Sequence, residues 1–328
     1  MPKTIFTSDL GATKCHAGLV SLNDTTGNLH CTHSHTVKLS AFASLDALMH
    51  ELEKQLGTRI AATDAICIGA AGQYDGAELL HENAYPFSMP FAALASKASW
   101  PAYAVIHDYA PIVCATFTDY MIKPANLKRL NDCPINHDGR RVALGIGTGL
   151  GLKDGVLLPN GDFWLGKNEI GHIGIATPPH ATQDELKRHQ ALIKHLQPRS
   201  LTFEHILSGA GTTRLYQFLY PDRAALKPEQ IGEQMRANLL PELVAIFAWY
   251  LGLFVGTVQL IFMPEGGIWI TGGVALSHLE AFEHPSFERG IHASPAYRAL
   301  RDTYPLGILL NPEHALLGNA YYASKRLL

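Results

Sequence analysis

The chain has no C-x-x-C pair, and its five cysteines (Cys15, Cys31, Cys67, Cys114 and Cys133) are odd in number and scattered. That argues against a disulfide framework and for a reducing, cytoplasmic setting. Neither sign of charge dominates. Against 29 acidic residues stand 26 lysines and arginines, a formal net charge of -3, so there is no basic footprint for a nucleic-acid partner. The opening "MPKTIFTSDLGATK" lacks the charged-then-apolar layout of a signal peptide. Low-complexity tracts are absent. So are G-x-x-x-x-G-K-[ST] and a strict G-x-G-x-x-G at a strand–helix junction, which removes support for a P-loop or a Rossmann site. One uncharged run, Leu243 to Pro264, is long enough to span a bilayer, with Gly252 and Gly256 forming G-x-x-x-G. No lysine- or arginine-rich flank marks a topology. The run is therefore expected to be a buried helix whose glycines admit a closely packed neighbour, with no membrane partner.

What is present is ordinary globular material. The chain has 328 residues, 47% hydrophobic and 17% charged, enough for two domains. "TIFTSDL", "GAT" and "KCHAGLVSL" read as strand, turn and strand, and "HCTHSHTVKL" as a further strand. "SLDALMHELEKQL" is a helix with Ser44 as N-cap and Leu45, Leu48, Leu52 and Leu56 on one face. "DAICIGAAG" and "YAVIHD" are strands, "PFAALASKA" is helical, and "VCATFTDYMI" is helix-like. "RRVALGIGTGLGLKDGVLL" repeats the strand, glycine turn and strand of the N-terminus. Helices are expected around "QDELKRHQALIKHL", "FEHILSG", "GTTRLYQFLY", "PEQIGEQMRANLLPELVAIFAWYLGLFVGTVQLIF" and the C-terminal tail, with a strand at "GIWITGGVA". The pattern predicts mixed α/β architecture repeated in two halves.

Two glycine turns invite a phosphate reading. In "DLGATK" successive backbone N–H groups can face one concavity, with a hydroxyl from Thr13, a charge from Lys14, and Asp9 holding magnesium through water. An ordinary hairpin turn has the same local chemistry. "GIGTGLG", Gly145 to Gly151, is glycine-dense beyond the needs of a tight turn. Asp108 ends a strand and precedes a helix, so it reads either as a helix N-cap or as a catalytic carboxylate. Glu169 and His172 in "EIGH" read as a loop pair or a structural histidine, and no cysteine cluster completes a metal site. Glu204 in "FEHILSG" reads as an exposed helix residue or a ligand-binding acid. Cys31, His33 and His35 alternate along one strand, three potential metal ligands where a tetrahedral site needs four.

The ordered set "DLGATK", "HDYAP", "GIGTGLG", "NEIGH", "FEHILSGAG", "WITGG" resembles the bacterial glucokinase family of the actin-like ATPase (hexokinase) superfamily, over essentially the whole chain. The resemblance implies two ribonuclease-H-like α/β domains with a nucleotide and sugar cleft between them. Residues 1–109 would form a small domain completed by the C-terminal helix 311–328, and residues 110–310 a large one. It implies ATP-dependent phosphorylation of a hexose, D-glucose to D-glucose 6-phosphate, the entry to glycolysis. ATP and Mg2+ would be the cofactors and a homodimer the assembly. Asp108 becomes the catalytic base, and Asn83, His107, Asp108, Glu169, His172 and Glu204 the sugar-binding set. Asp9, Gly11, Ala12, Thr13, Lys14, Gly147, Thr148, Gly149, Gly209, Gly211, Gly272 and Gly273 become the nucleotide-binding set.

The chain departs from the family pattern in three places. His107 stands where the family has asparagine before its catalytic aspartate, which bears on the sugar bound. Ala12 stands where the first turn has a second glycine, a strained choice if that position needs φ > 0. "EIGH" replaces "EGGH", a form shared with the ROK sugar kinases, but their cysteine cluster is missing, since no cysteine follows Cys133. A kinase for another hexose or an amino sugar, or a low-turnover sugar sensor of the same fold, stays open beside the glucose reading. Sensors of that kind add a helix-turn-helix domain, and this chain starts at the first hairpin.

Overall fold

The computed structural model describes residues 2–80, 85–197 and 200–328. They divide into two units, residues 1–127 with 311–328 and residues 128–310.

The first unit is built on a five-stranded sheet. Its order is Leu29–Lys38, Lys14–Leu22, Lys3–Leu10, Ala65–Ala70 and Tyr103–His107. The first three strands are antiparallel and the last two run parallel to Lys3–Leu10. The central parallel strand is apolar along its length, as a sheet interior covered on both faces requires. Ala65–Ala70 is buried at every position. Helix Leu45–Leu56 starts at Ser44, whose hydroxyl accepts from the Ala47 N–H at 3.2 Å, and its four expected leucines are buried. It ends at Gly57, at φ +66°.

The second unit repeats the plan. Its six-stranded sheet has the order Phe163–Leu165, Leu150–Leu157, Arg141–Ile146, Gly267–Thr271, Leu306–Leu309 and Leu127–Arg129. Again a three-strand antiparallel set is followed by parallel strands. This is the ribonuclease-H-like order, twice. The apolar run is helix Pro241–Phe262, buried inside this unit. Its G-x-x-x-G face meets helix Pro285–Ile291. A methyl group added at Gly252 would lie 1.9 Å from the Phe287 carbonyl oxygen, and one at Gly256 2.5 Å from that of Ile291. Gly290 reciprocates, 2.2 Å from the Trp249 oxygen. The glycines serve backbone-to-backbone packing of two core helices.

Several expectations change. The boundary expected after Tyr109 falls after Leu127. The reason is packing: helix Ala110–Ala115 lies against the C-terminal helix His314–Arg326, so closely that a Cβ at Gly318 would sit 1.7 Å from the Pro111 oxygen. The helix-like run "VCATFTDYMI" is helical only to Ala115. Thr116 and Thr118 then turn their hydroxyls back onto the Val113 and Ala115 carbonyls, and a 3-10 turn follows at Asp119–Ile122. "FEHILSG" is a succession of turns rather than a helix, because extended Ser208 already caps the next helix, Gly209–Leu219. Strand Leu306–Leu309 was not anticipated. Cys31, His33 and His35 do not form a metal site: a bulge at the Leu19/Val20 register shift breaks the alternation, and the described residues hold no cluster of three ligands.

Candidate functional site

In the first unit the parallel strands bring their carboxyl ends together, the edge at which open α/β sheets bind ligands. Lys3–Leu10 ends in Asp9 and Leu10, and Gly11 N–H closes the turn on the Lys14 carbonyl at 3.0 Å. Leu39 N–H pins Thr13 O at 3.0 Å, leaving the Thr13 and Lys14 side chains exposed. Ala12 is not among the residues with positive φ, so alanine sits in this turn without left-handed strain. Burial pushes the Asp9 carboxyl up to about 6, against the pull of Lys14.

That shift carries a sign. A carboxyl raised from 3.8 to about 6 favours folding in its neutral form. Its contribution is fully present below the lower value and is lost as pH rises through the higher one. The wild-type apoprotein is therefore expected to lose melting temperature between pH 4 and pH 6.5, and Asp9→Asn to flatten that fall. An equally steep fall in the variant would assign it elsewhere.

Asp108 follows strand Tyr103–His107, and its N–H bonds the Ala70 carbonyl at 3.0 Å. The helix that follows has Tyr109 as its N-cap and no side-chain capping bond. Asp108 thus stands one residue before the cap position. His107 Nδ1 lies 3.0 Å from Asp108 Oδ1, both side chains partly exposed. The Tyr109 N–H approaches the same nitrogen at 3.4 Å. One ring nitrogen cannot accept from the backbone and donate to the carboxylate at once; the hydrogen bond formed is the Tyr109 N–H donating to Nδ1, with Oδ1 in close contact.

Tyr85, absent from the sequence-based set, is buried here, and its hydroxyl donates to the Leu10 carbonyl at 2.8 Å. Burial pushes its phenol up, and the Asp108 carboxylate adds more than that of Asp9. Asn319 is a second such residue. Fully buried on the C-terminal helix, its amide donates to Ser8 O at 2.9 Å and accepts from Cys67 Sγ at 3.3 Å. A lone amide among the apolar positions of "HALLGNAYYA" was its only signal. Asn83 lies outside the described residues.

In the second unit the Gly147–Thr148–Gly149 turn closes with Gly147 N–H on Gly149 O at 2.9 Å. Gly209 N–H, at the start of its helix, bonds Gly147 O at 2.9 Å. Gly211 lets that helix approach the Ile206 carbonyl, 2.3 Å from where a Cβ would sit. Gly272 holds φ +103° with the Ile146 oxygen 2.3 Å from its missing Cβ. Only glycine fits there. At Gly147 and Gly273 an added Cβ would meet nothing within 4 Å, so the backbone lies open. The structure thus gathers the second turn, the 209–211 helix start and the 272–273 pair into one open, glycine-lined cradle, with Thr148 exposed.

Glu169 precedes and His172 ends a 3-10 turn, Ile170–His172, and both are exposed. Glu204 stands beside it: its N–H bonds Gly171 O at 3.0 Å, and its Oε2 lies 3.9 Å from His172 Nε2. The same Oε2 accepts the Leu150 N–H at 3.0 Å. Glu204 therefore ties the "EIGH" turn to the glycine hairpin, a link invisible in sequence. Buried Asp154 supports the same region, accepting from Gly166 N–H through its backbone and from Asn168 through its side chain at 3.5 Å.

Comparison with known proteins accords with this fold. A glucokinase from Agrobacterium fabrum is 26% identical over 346 aligned positions, covering 98% of this chain and 95% of the relative. One from Psychromonas ingrahamii is 24% identical and covers 100% and 99% of the two chains. The crystal structure of a glucokinase from an Antarctic psychrotroph superposes with a TM-score of 0.82 at 17% identity, covering 98% of each chain. A ROK family glucokinase from Streptomyces griseus, solved with glucose and AMPPNP, matches at 0.62 and 16% identity over 98% of this chain and 99% of that one. These structures share the two-domain actin-like ATPase fold. A family model described as glucokinase matches residues 6–326, and the chain belongs to the glucokinase family.

Proposed function

We propose that the protein transfers the γ-phosphoryl group of ATP to a hexose, converting D-glucose to D-glucose 6-phosphate. The observation that carries this reading is the family match over residues 6–326. In the mechanism, Asp108 accepts the 6-hydroxyl proton as that oxygen attacks phosphorus. Glu169, His172 and Glu204 accept and donate to the remaining hydroxyls. The Gly11–Lys14 and Gly147–Gly149 turns present N–H groups, the Thr13 and Thr148 hydroxyls and the Lys14 ammonium to the phosphates, and the 209–211 and 272–273 glycines admit the adenosine. Phosphoryl transfer has a loose transition state, so this positioning carries most of the rate. Asp9 fits magnesium: its carboxyl is held above the usual range by burial, and one carboxylate with waters and phosphates suffices for that ion. Magnesium bound there would neutralise charge on the phosphates.

We further place the protein in the cytoplasm, feeding glycolysis, as a homodimer without nucleic-acid or membrane partners. Its five free cysteines, near-balanced charge and buried apolar helix support that setting. His107 favours one variant reading, a different hexose or an amino sugar. His107→Asn is expected to lower the KM for glucose if glucose is the substrate, since an amide offers donor and acceptor side by side. A raised KM with a shift to another sugar would make His107 a specificity element for that sugar.

Glu169 and Glu204 should differ in a way the geometry dictates. Glu169→Ala is expected to weaken glucose binding alone, by about 1–3 kcal/mol. Glu204→Ala also removes the acceptor of the Leu150 N–H, so glucose and a non-hydrolysable ATP analogue should both bind more weakly. Calorimetry with each ligand checks this; loss of glucose binding alone in Glu204→Ala would deny the link. The function as a whole is tested by a hexose panel with ATP, ADP and polyphosphate as donors. Glucose with ATP should give the highest kcat/KM, and no turnover with any pair would refute a kinase.

A further inference from the structure

We propose that Tyr85 is a positioning residue for phosphoryl transfer, its phenol fixing the peptide from which the first phosphate turn springs. The role rests on the kinase reading above and adds to it a residue outside the assigned sets.

The Leu10 carbonyl and the Gly11 N–H belong to one planar peptide unit, so fixing both ends fixes its tilt. The N–H end is held by the Lys14 carbonyl at 3.0 Å. The oxygen end is held by the Tyr85 hydroxyl at 2.8 Å and, more loosely, by the Ala71 N–H at 3.3 Å. Ala71 follows Ala70, whose carbonyl receives the Asp108 N–H at 3.0 Å. The Tyr85 hydroxyl thus sits where the carboxyl ends of three parallel strands meet, one carrying Asp9 and the turn, another leading to Asp108. Tyr85 belongs to no strand or helix and is only 8% exposed. Its ring fills a core position that phenylalanine would fill as well; its oxygen is what reaches the turn. Without that bond the Leu10–Gly11 peptide can tilt, carrying the N–H groups of Ala12 and Thr13 out of line with the phosphates. The sugar-binding turn of the second unit is untouched by the change.

Tyr85→Phe removes that one oxygen. Expected are a kcat lowered about tenfold and an ATP KM raised about threefold, the scale of a small misplacement of reacting groups. The glucose dissociation constant by calorimetry should stay within about twofold, and the melting temperature within a few degrees. A folded variant with kcat and ATP KM within about twofold of wild type overturns the role. So does a parallel loss of both ligands with a fall in melting temperature, which would make the hydroxyl merely structural. Wild type and Asp108→Asn run in the same assay separate the two levels. A wild type without sugar-dependent ADP release refutes the kinase reading and this role together. An active wild type, an inactive Asp108→Asn and an unimpaired Tyr85→Phe refute the role of Tyr85 alone.

Discussion

Asp108→Asn is expected to lose at least ~10²-fold in turnover while still binding glucose, because the amide matches the carboxylate in shape but cannot take a proton. The structure makes this a clean substitution. The following helix has Tyr109, not Asp108, as its N-cap, so the substitution leaves the cap residue in place. The Asp108 N–H keeps its bond to Ala70 O, since that is backbone. His107 stays beside position 108, its Nδ1 3.0 Å from Oδ1. Steady-state kinetics with calorimetry for glucose checks the expectation. A folded variant turning over at close to the wild-type rate would leave Asp108 with no part in the chemistry.

The second large effect lies away from any ligand. Gly318→Ala places a methyl carbon 1.7 Å from the Pro111 oxygen and 2.5 Å from its carbonyl carbon. Backbone on both sides leaves no flexible side chain to yield, so helix His314–Arg326 must move off helix Ala110–Ala115. Overpacking of this kind costs toward the upper end of about 1–3 kcal/mol. The helix it presses on, Ala110–Ala115, begins two residues after Asp108, and Asn319, next to the mutated glycine, holds Ser8 O beside Asp9. Thermal denaturation should show a melting temperature lower by at least several degrees, with kcat reduced more than the KM for either substrate. An unchanged melting temperature would show that the contact between the helices is looser than described.

Much of this was legible in the sequence because it is local. Ser44 and four leucines announce their helix, and glycine turns between β-branched runs announce both hairpins. The apolar run with Gly252 and Gly256 reads as a tightly packed core helix, and is one. What could not be read depends on contacts distant in sequence. Leu306–Leu309 is four residues long and pairs with Gly267–Thr271, so no periodicity marks it. Residues 110–127 join the first unit through Gly318, some two hundred positions onward. Glu204 looked like a helix residue until its neighbours Gly171 and Leu150 claimed its backbone and its carboxylate. Tyr85 carries no motif of its own; only the 75-residue jump back to Leu10 gives its hydroxyl a purpose.

The central claim is chemical, and one measurement meets it directly: phosphorus NMR of the purified protein with glucose, ATP and Mg2+, repeated with a chelator. The account predicts loss of the γ-phosphate signal, growth of ADP, and a new phosphate monoester coupled to the two C6 protons of glucose, all suppressed by the chelator. An ATP spectrum that stays unchanged while glucose binds, or phosphate that appears on a carbon other than C6, would contradict it.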